Sequence, residues 1–518
     1  MTASESMWTR VVRAADRGGR LSELLTRPEG ADRVVAVSLR VPYRGQADAA
    51  VLQRATDEVT RVVQDHLTAL GLPGRPVVSV TPSATGAEEP YLLRINGRRV
   101  RCAGADLPDP TDLPRYAATV CAAAILRRPS ILLGAVPIEV FAGELDGGRV
   151  GAARLAAALP RVLDQGVSLA DREAVRAVLD DAGDALHPAE LAEALTAALQ
   201  SPTVDVRFTR ETLRRVTTAQ PADRELFSSL RTQFYSEQGV LGPGFRFVVD
   251  PDVPERHFAI RINALVLPAI PLRTANPLHE VHDALLAMLR RHASWLVSLT
   301  GLMEVLEPLR WALPDTVRAV EKRFSGRWLA AVARALVDEG ISVRHPATLL
   351  DWLLDLDPTA PPPGWVRLSE GPVAVAAVRS PALLPDPRDA VASLRSRWLE
   401  EDARMVPRDG PLPVHRLDAA LEAEVAKAAA TGPQTAEDVA ERVAAAVRRT
   451  LPDACGAPLV APSLRARTWL LDELRAEFPG LRVLAVGEFP PSLELLRLPA
   501  GAASGALTTP PRGVAGVW

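Results

Sequence analysis

Residues 324–355, FSGRWLAAVARALVDEGISVRHPATLLDWLLD, recur in outline earlier in the chain, and that repetition constrains the fold more than any other feature. Leu329, Val332, Ala333, Leu336 and Val337 have the spacing of one apolar helix face. Gly340 ends that helix, because a residue without a Cβ takes the left-handed conformation at little cost. Residues 341–343 then read as a short extended piece. His345 is biased away from the helical region by Pro346, which suits the first turn of a second helix faced by Leu349, Leu350, Leu353 and Leu354. In residues 154–181 the same apolar positions are held by Leu155, Ala158, Leu159, Val162 and Leu163, at a shift of about 174 residues. Gly166 stands for Gly340, and Asp171 replaces His345 as an N-cap.

A second pair of segments repeats in the same order. Residues 34–41 read as a strand, 50–70 as a helix closed by Gly71, and 77–80 and 91–100 as strands. Further on, residues 226–237 read as a helix closed by Gly239, and 245–249 and 258–267 as strands. Residues 91–96, YLLRIN, match residues 258–263, FAIRIN. The expectation is a multidomain α+β protein with an internally duplicated module, residues 33–200 and 204–357, after an extension over 1–32. A Pro-rich linker region over 358–416 leads to a C-terminal α/β domain over 417–498, and the small, polar tail over 499–518 is expected to be disordered.

Composition narrows the function classes. At 518 residues the chain is too long for one core, and a net charge of -3 gives no electrostatic reason to expect nucleic acid. Cys102, Cys121 and Cys455 are too few and too far apart for a disulfide framework or a zinc site, which suits a reducing cytoplasm. The longest apolar runs, 117–126 and 131–142, are too short to span a bilayer, which takes about 20 residues. An integral membrane segment is therefore not expected.

His279 and His282 sit three apart, whereas a zinc helix of the HExxH type needs four and a third ligand, so no metal site is expected. The Gly-rich stretch 143–151 lacks the Lys-Ser/Thr of a phosphate loop and carries Glu144 and Asp146, which repel phosphate. No GxSxG elbow is present. The helix, turn and helix of 324–355 resembles a DNA-reading unit in outline only, since Asp351, Asp355 and Asp357 oppose phosphate contact. Catalytic, cofactor-binding and metal residues are all expected to be none, and the chain is read as a non-enzyme.

Four segments carry a resemblance to the FHIPEP family, the flagellar and injectisome type III export-gate proteins. Residues 233–240 with 258–263 resemble the family's helix, Gly turn and "YrI" strand, and residues 279–296 are similar to its "THL…RRHA" helix. Residues 324–355 resemble its helix, "eGv.IRd" turn and helix, and residues 465–498 its closing "VLS..EIPP" segment. The family's membrane domain has no counterpart, nor does the "DP.FGLPA.WI" segment expected between Leu267 and His279. The resemblance implies a scaffold or docking protein that binds secretion chaperones, cargo or assembly partners and forms a homo-oligomer. The alternatives are the same fold recruited as an adaptor in a regulatory or defence-type assembly, and an enzyme with a dispersed site. If the family's ring contact is retained, the interface candidates are Glu339 and Arg344 in the turn and Glu488, Phe489, Pro490 and Pro491 near the end.

Overall fold

Nine residues from Val34 to Pro42, VVAVSLRVP, alternate buried β-branched side chains along β1 and give the first sheet its central strand. In the computed structural model the described residues are 34–42, 48–83, 91–100, 112–134, 151–182, 186–217, 226–273, 277–356, 387–401, 412–431, 437–450, 457–474, 481–489 and 495–497, with a few isolated positions between them. The N-terminal extension and the tail expected from the sequence lie outside them, as does most of the Gly-rich stretch 143–151.

After β1, α1 (Ala49–Leu70) buries Ala55, Val59, Val63, His66, Leu67 and Leu70, and ends at Gly71 with φ 67°. That helix is the crossover which lets β2 (Arg75–Ser83) run parallel to β1, Val34 pairing with Arg75. β3 (Leu92–Ile95) and β4 (Arg98–Val100) follow as antiparallel neighbours, giving the order β2-β1-β3-β4. The expected single strand over 91–100 is thus a hairpin. Asn96 and Gly97, with φ 51° and 78°, turn the chain as an Asn-Gly pair does where both central residues need positive φ.

The helical half of this module comprises α2 (Leu113–Arg127), a 3-10 turn (Pro129–Leu132), α3 (Ala152–Leu163), α4 (Arg172–Ala182) and α5 (Pro188–Leu199). Asp171 caps α4 as expected, accepting from the Ala174 amide at 2.9 Å.

The second module opens on β5 (Val204–Phe208), then α6 (Arg210–Thr217), α7 (Leu226–Gln238), β6 (Phe245–Val249), β7 (His257–Ile262), β8 (Leu265–Val266) and β9 (Ile270–Pro271). Its sheet order is β6-β5-β7-β8, with β9 paired to β7. β5 is parallel to β6 and antiparallel to β7, as β1 is to β2 and β3. Again the expected strand over 258–267 is a hairpin, turning at Asn263 with φ 53°. α8 (Pro277–Arg291), a 3-10 turn (Ala293–Leu296), α9 (Leu299–Ala312), α10 (Pro314–Arg323), α11 (Gly326–Asp338) and α12 (Pro346–Leu354) complete it. A continuous core of buried side chains runs through both modules.

A separate compact unit carries α13 (Pro387–Glu401), β10 (Leu412–Arg416), α14 (Ala419–Thr431), α15 (Glu437–Thr450), β11 (Leu459–Ala461), α16 (Leu464–Leu474), β12 (Val483–Ala485) and β13 (Leu495–Arg497). Its sheet is parallel throughout, in the order β12-β11-β10-β13. β10 and α13 fall within the stretch the sequence assigns to a linker, yet β10 is an inner strand. Among the described residues no helix is long and apolar enough to cross a membrane.

Candidate docking surfaces

Within each module a left-handed glycine locks the sheet half to the helical half. A Cβ on Gly71 would lie 2.3 Å from the Ala170 nitrogen, and one on Gly239 would lie 2.3 Å from the Arg344 nitrogen. The same bonds flank both approaches. Ser168 Oγ donates to the Ala69 carbonyl and Ser342 Oγ to the Glu237 carbonyl, each at 2.7 Å. The Leu169 amide donates to Leu70 at 2.9 Å and the Val343 amide to Gln238 at 3.0 Å. Residues 341–343, expected to be extended, form no strand and lie as a strap along the end of α7.

Two asparagines make the second repeated joint. Asn96 Oδ1 accepts from the Ala36 amide at 3.2 Å, and Asn263 Oδ1 accepts from the Thr203 amide at 3.3 Å. Their Nδ2 groups donate to the 3-10 turns, Asn96 to the Ile131 carbonyl and Asn263 to the Trp295 carbonyl, each at 2.9 Å. In both cases one side-chain amide, half-buried at Asn96 and buried at Asn263, satisfies backbone groups of two different segments.

The contact between the modules uses the turn after α3. Gly166, φ 66°, is buried, and its Cα faces the indole of Trp295. Around it the Ala264 amide donates to the Gly166 carbonyl at 3.4 Å, and Gln200 Nε2 donates to the Trp295 carbonyl at 2.8 Å. Arg334, buried on α11, reaches Glu193 of α5 at 2.7 Å and the Val297 carbonyl at 3.2 Å. At the corresponding turn of the second module no described residue covers the glycine. Gly340, φ 76°, is exposed, and a Cβ there would meet nothing within 4 Å.

Beside that turn lies an apolar cleft. Val240, Leu302, Val305, Leu329, Leu349 and Leu353 are among its walls, and the cleft opens to solvent. Beyond it, on α9, Trp311 is 85% exposed.

The chain resembles solved type III secretion export-gate domains. The Chlamydia pneumoniae CdsV structure is 16% identical, over 58% of this chain and 97% of that one, with a TM-score of 0.44. The Shigella flexneri MxiA structure is 15% identical over 57% and 98%, TM-score 0.42, and the nonameric EscV cytosolic domain 11% over 57% and 95%, TM-score 0.42. No family model and no curated protein matches the chain. These structures are of the kind of protein that the sequence motifs resemble.

The interface candidates drawn from the export-gate motifs fall in different settings. Arg344 is exposed, its Nε 3.1 Å from His345 Nε2, while Glu339 is half-buried at the end of α11. Glu488 is fully buried in the C-terminal unit, paired with Arg395 and 3.4 Å from Arg467. Phe489 packs against Leu484, and Pro490 and Pro491 lie outside the described residues. Glu339 and Arg344 share one neighbourhood and Glu488 and Phe489 another, and of these four only Arg344 is exposed. Trp295, Gln200, Asn263 and Arg334, which make the inter-module joint, are not among the sequence candidates. The one signal for them was the shared Asn at the end of YLLRIN and FAIRIN.

His282 faces Asp283 at 3.0 Å, and among the described residues no group of three or more His, Cys, Asp or Glu side chains is placed to hold a metal. Cys121 is buried and not in a disulfide.

Proposed function

We propose that this chain is a non-enzymatic scaffold that docks partner proteins, its two modules having arisen by duplication of an export-gate-like unit. One observation carries the reading. The turn that joins the first module to the second, at Gly166, is repeated at Gly340, where none of the described residues is seated on it. A surface already used once inside the chain is available for a further protein, either a second copy offering its own counterpart of the Trp295 face or an assembly partner such as a chaperone or cargo. Such a head-to-tail contact is heterologous, so repetition closes into a ring or extends into a filament. Glu339 and Arg344 flank the turn and belong to the proposed interface.

The test is the solution mass of the full chain by light scattering across a concentration series, joined to a photo-crosslinking residue placed at Glu339 in cells. A discrete oligomer crosslinked through residue 339, or one defined protein captured there and rebound when purified, supports the reading. A strict 55.5 kDa monomer with no adduct at residue 339 removes it.

A further inference from the structure

The first module provides a filled version of the cleft that is open in the second. Counting on from the two 3-10 turns, Pro129–Leu132 and Ala293–Leu296, Ile138 stands opposite Leu302 and Phe141 opposite Val305. Counting from the two turn glycines, Gly166 and Gly340, Arg172 stands opposite Pro346. In the first module Phe141 is fully buried, and the Arg172 guanidinium lies 4.2 Å above its ring. Arg172 also donates to the Gly71 carbonyl at 2.6 Å. An aromatic plug and a cation therefore close the space between the sheet half and the helical half.

In the second module every counterpart of that plug is smaller or lacks the chemistry. Val305 has no ring, and Pro346 has neither charge nor donor. Both line the open cleft, together with Gly239, the counterpart of Gly71. No donor among the described residues reaches the Gly239 carbonyl, although the residue is buried. Exposed carboxylates stand next to lining residues in sequence, Glu304 beside Val305 and Asp351 beside Leu350, against the single exposed guanidinium of Arg344 beside Val343. An excess of carboxylates next to the lining residues favours a basic partner over an acidic one.

We propose that the cleft binds a partner-protein segment carrying a phenylalanine-sized aromatic side chain next to a basic one. The ring takes the place that Phe141 takes in the first module, and the basic group donates to the Gly239 carbonyl as Arg172 does to Gly71. Aromatic and arginine anchors in desolvated pockets carry most of the energy of protein interfaces, and a cation over a ring adds to it. This site is separate from the Gly340 turn and stands or falls without it.

The experiment selects random 12-residue peptides displayed on phage against the immobilised full chain. Affinities of the selected peptides are then measured by fluorescence anisotropy on the wild type and on V305F, which rebuilds the first module's plug. The expected result is a set of peptides sharing an aromatic beside Arg or Lys, which V305F weakens roughly tenfold or more. V305F is also expected to unfold no lower than the wild type. Should it unfold lower, Leu349→Glu, a half-buried position on the cleft wall, takes its place in the same measurement. Selected peptides without an aromatic, peptides that bind the wall variants as well as the wild type, or no selected peptide at all would overturn the proposal.

Discussion

Gly166 packs its Cα directly on the indole of Trp295, so that a Cβ at this position would stand 3.0 Å from Trp295 Cε3. Gly340 has the same left-handed backbone, and a Cβ there would meet none of the described residues within 4 Å. The pair separates two costs that usually arrive together. Gly340→Ala costs only the left-handed strain, about 1 kcal/mol, whereas Gly166→Ala adds overpacking and is expected to cost about 2–4 kcal/mol. Urea unfolding of the two variants, followed by circular dichroism, checks the difference. Equal losses would mean that the inter-module joint yields without cost and that Trp295 does not hold the modules together.

The repeat was legible because its punctuation is local. Gly71, Gly166, Gly239 and Gly340 each end a helix in the left-handed conformation that only glycine takes readily, and each is followed by an apolar residue that is buried or lines the helix end. The apolar faces of α3 and α11 were equally plain, since their spacing is a property of the helix itself. What the sequence did not disclose is long-range. β5 is a short strand, VDVRF, whose partners lie about 40 and 60 residues away, so its identity is set by pairing rather than by its own pattern. β10 was hidden for the same reason in a Pro-rich stretch. The cleft was illegible because an open space is defined by what is missing, and Val305 becomes informative only beside Phe141.

Glu488 illustrates a residue whose motif points one way and whose setting points another. Its carboxylate is fully buried, pairs with Arg395, lies 3.4 Å from Arg467 Nε and accepts from the Ala485 amide at 2.8 Å. Arg467 in turn donates to the Val483 carbonyl at 2.8 Å, so the group ties α13, α16 and the end of β12 into one network. Glu488→Gln leaves two buried guanidiniums without their counter-charge, and breaking a buried pair in this way costs about 3–5 kcal/mol. The expected outcome is early unfolding of the C-terminal unit, seen by hydrogen exchange as loss of protection in β11 and β12 while β1 and β5 stay protected. Unchanged protection would show that the network contributes nothing to that unit's stability.

His66 gives the first module a pH dependence. Its ring is buried on α1, with Nδ1 2.7 Å from the Val62 carbonyl and Nε2 buried without a partner. Burial lowers its pKa below the ordinary 6.5, and the Val62 carbonyl and Asp65 offset this only in part. The folded chain therefore resists a proton that the unfolded chain accepts. Below about pH 6.5 the unfolded state is favoured, so this contribution to stability is complete above that pH and is lost as the pH falls toward the folded value. The slope is at most about 1.4 kcal/mol per pH unit. Replacing the ring by His66→Leu removes the titrating group and keeps an apolar side chain in the core. Urea unfolding at pH 7.5 and pH 5.5 should then show the wild type losing more stability than the variant on acidification, by up to about that amount. Equal losses would mean that the imidazole is charged in the folded state and that the helix opens to solvate it.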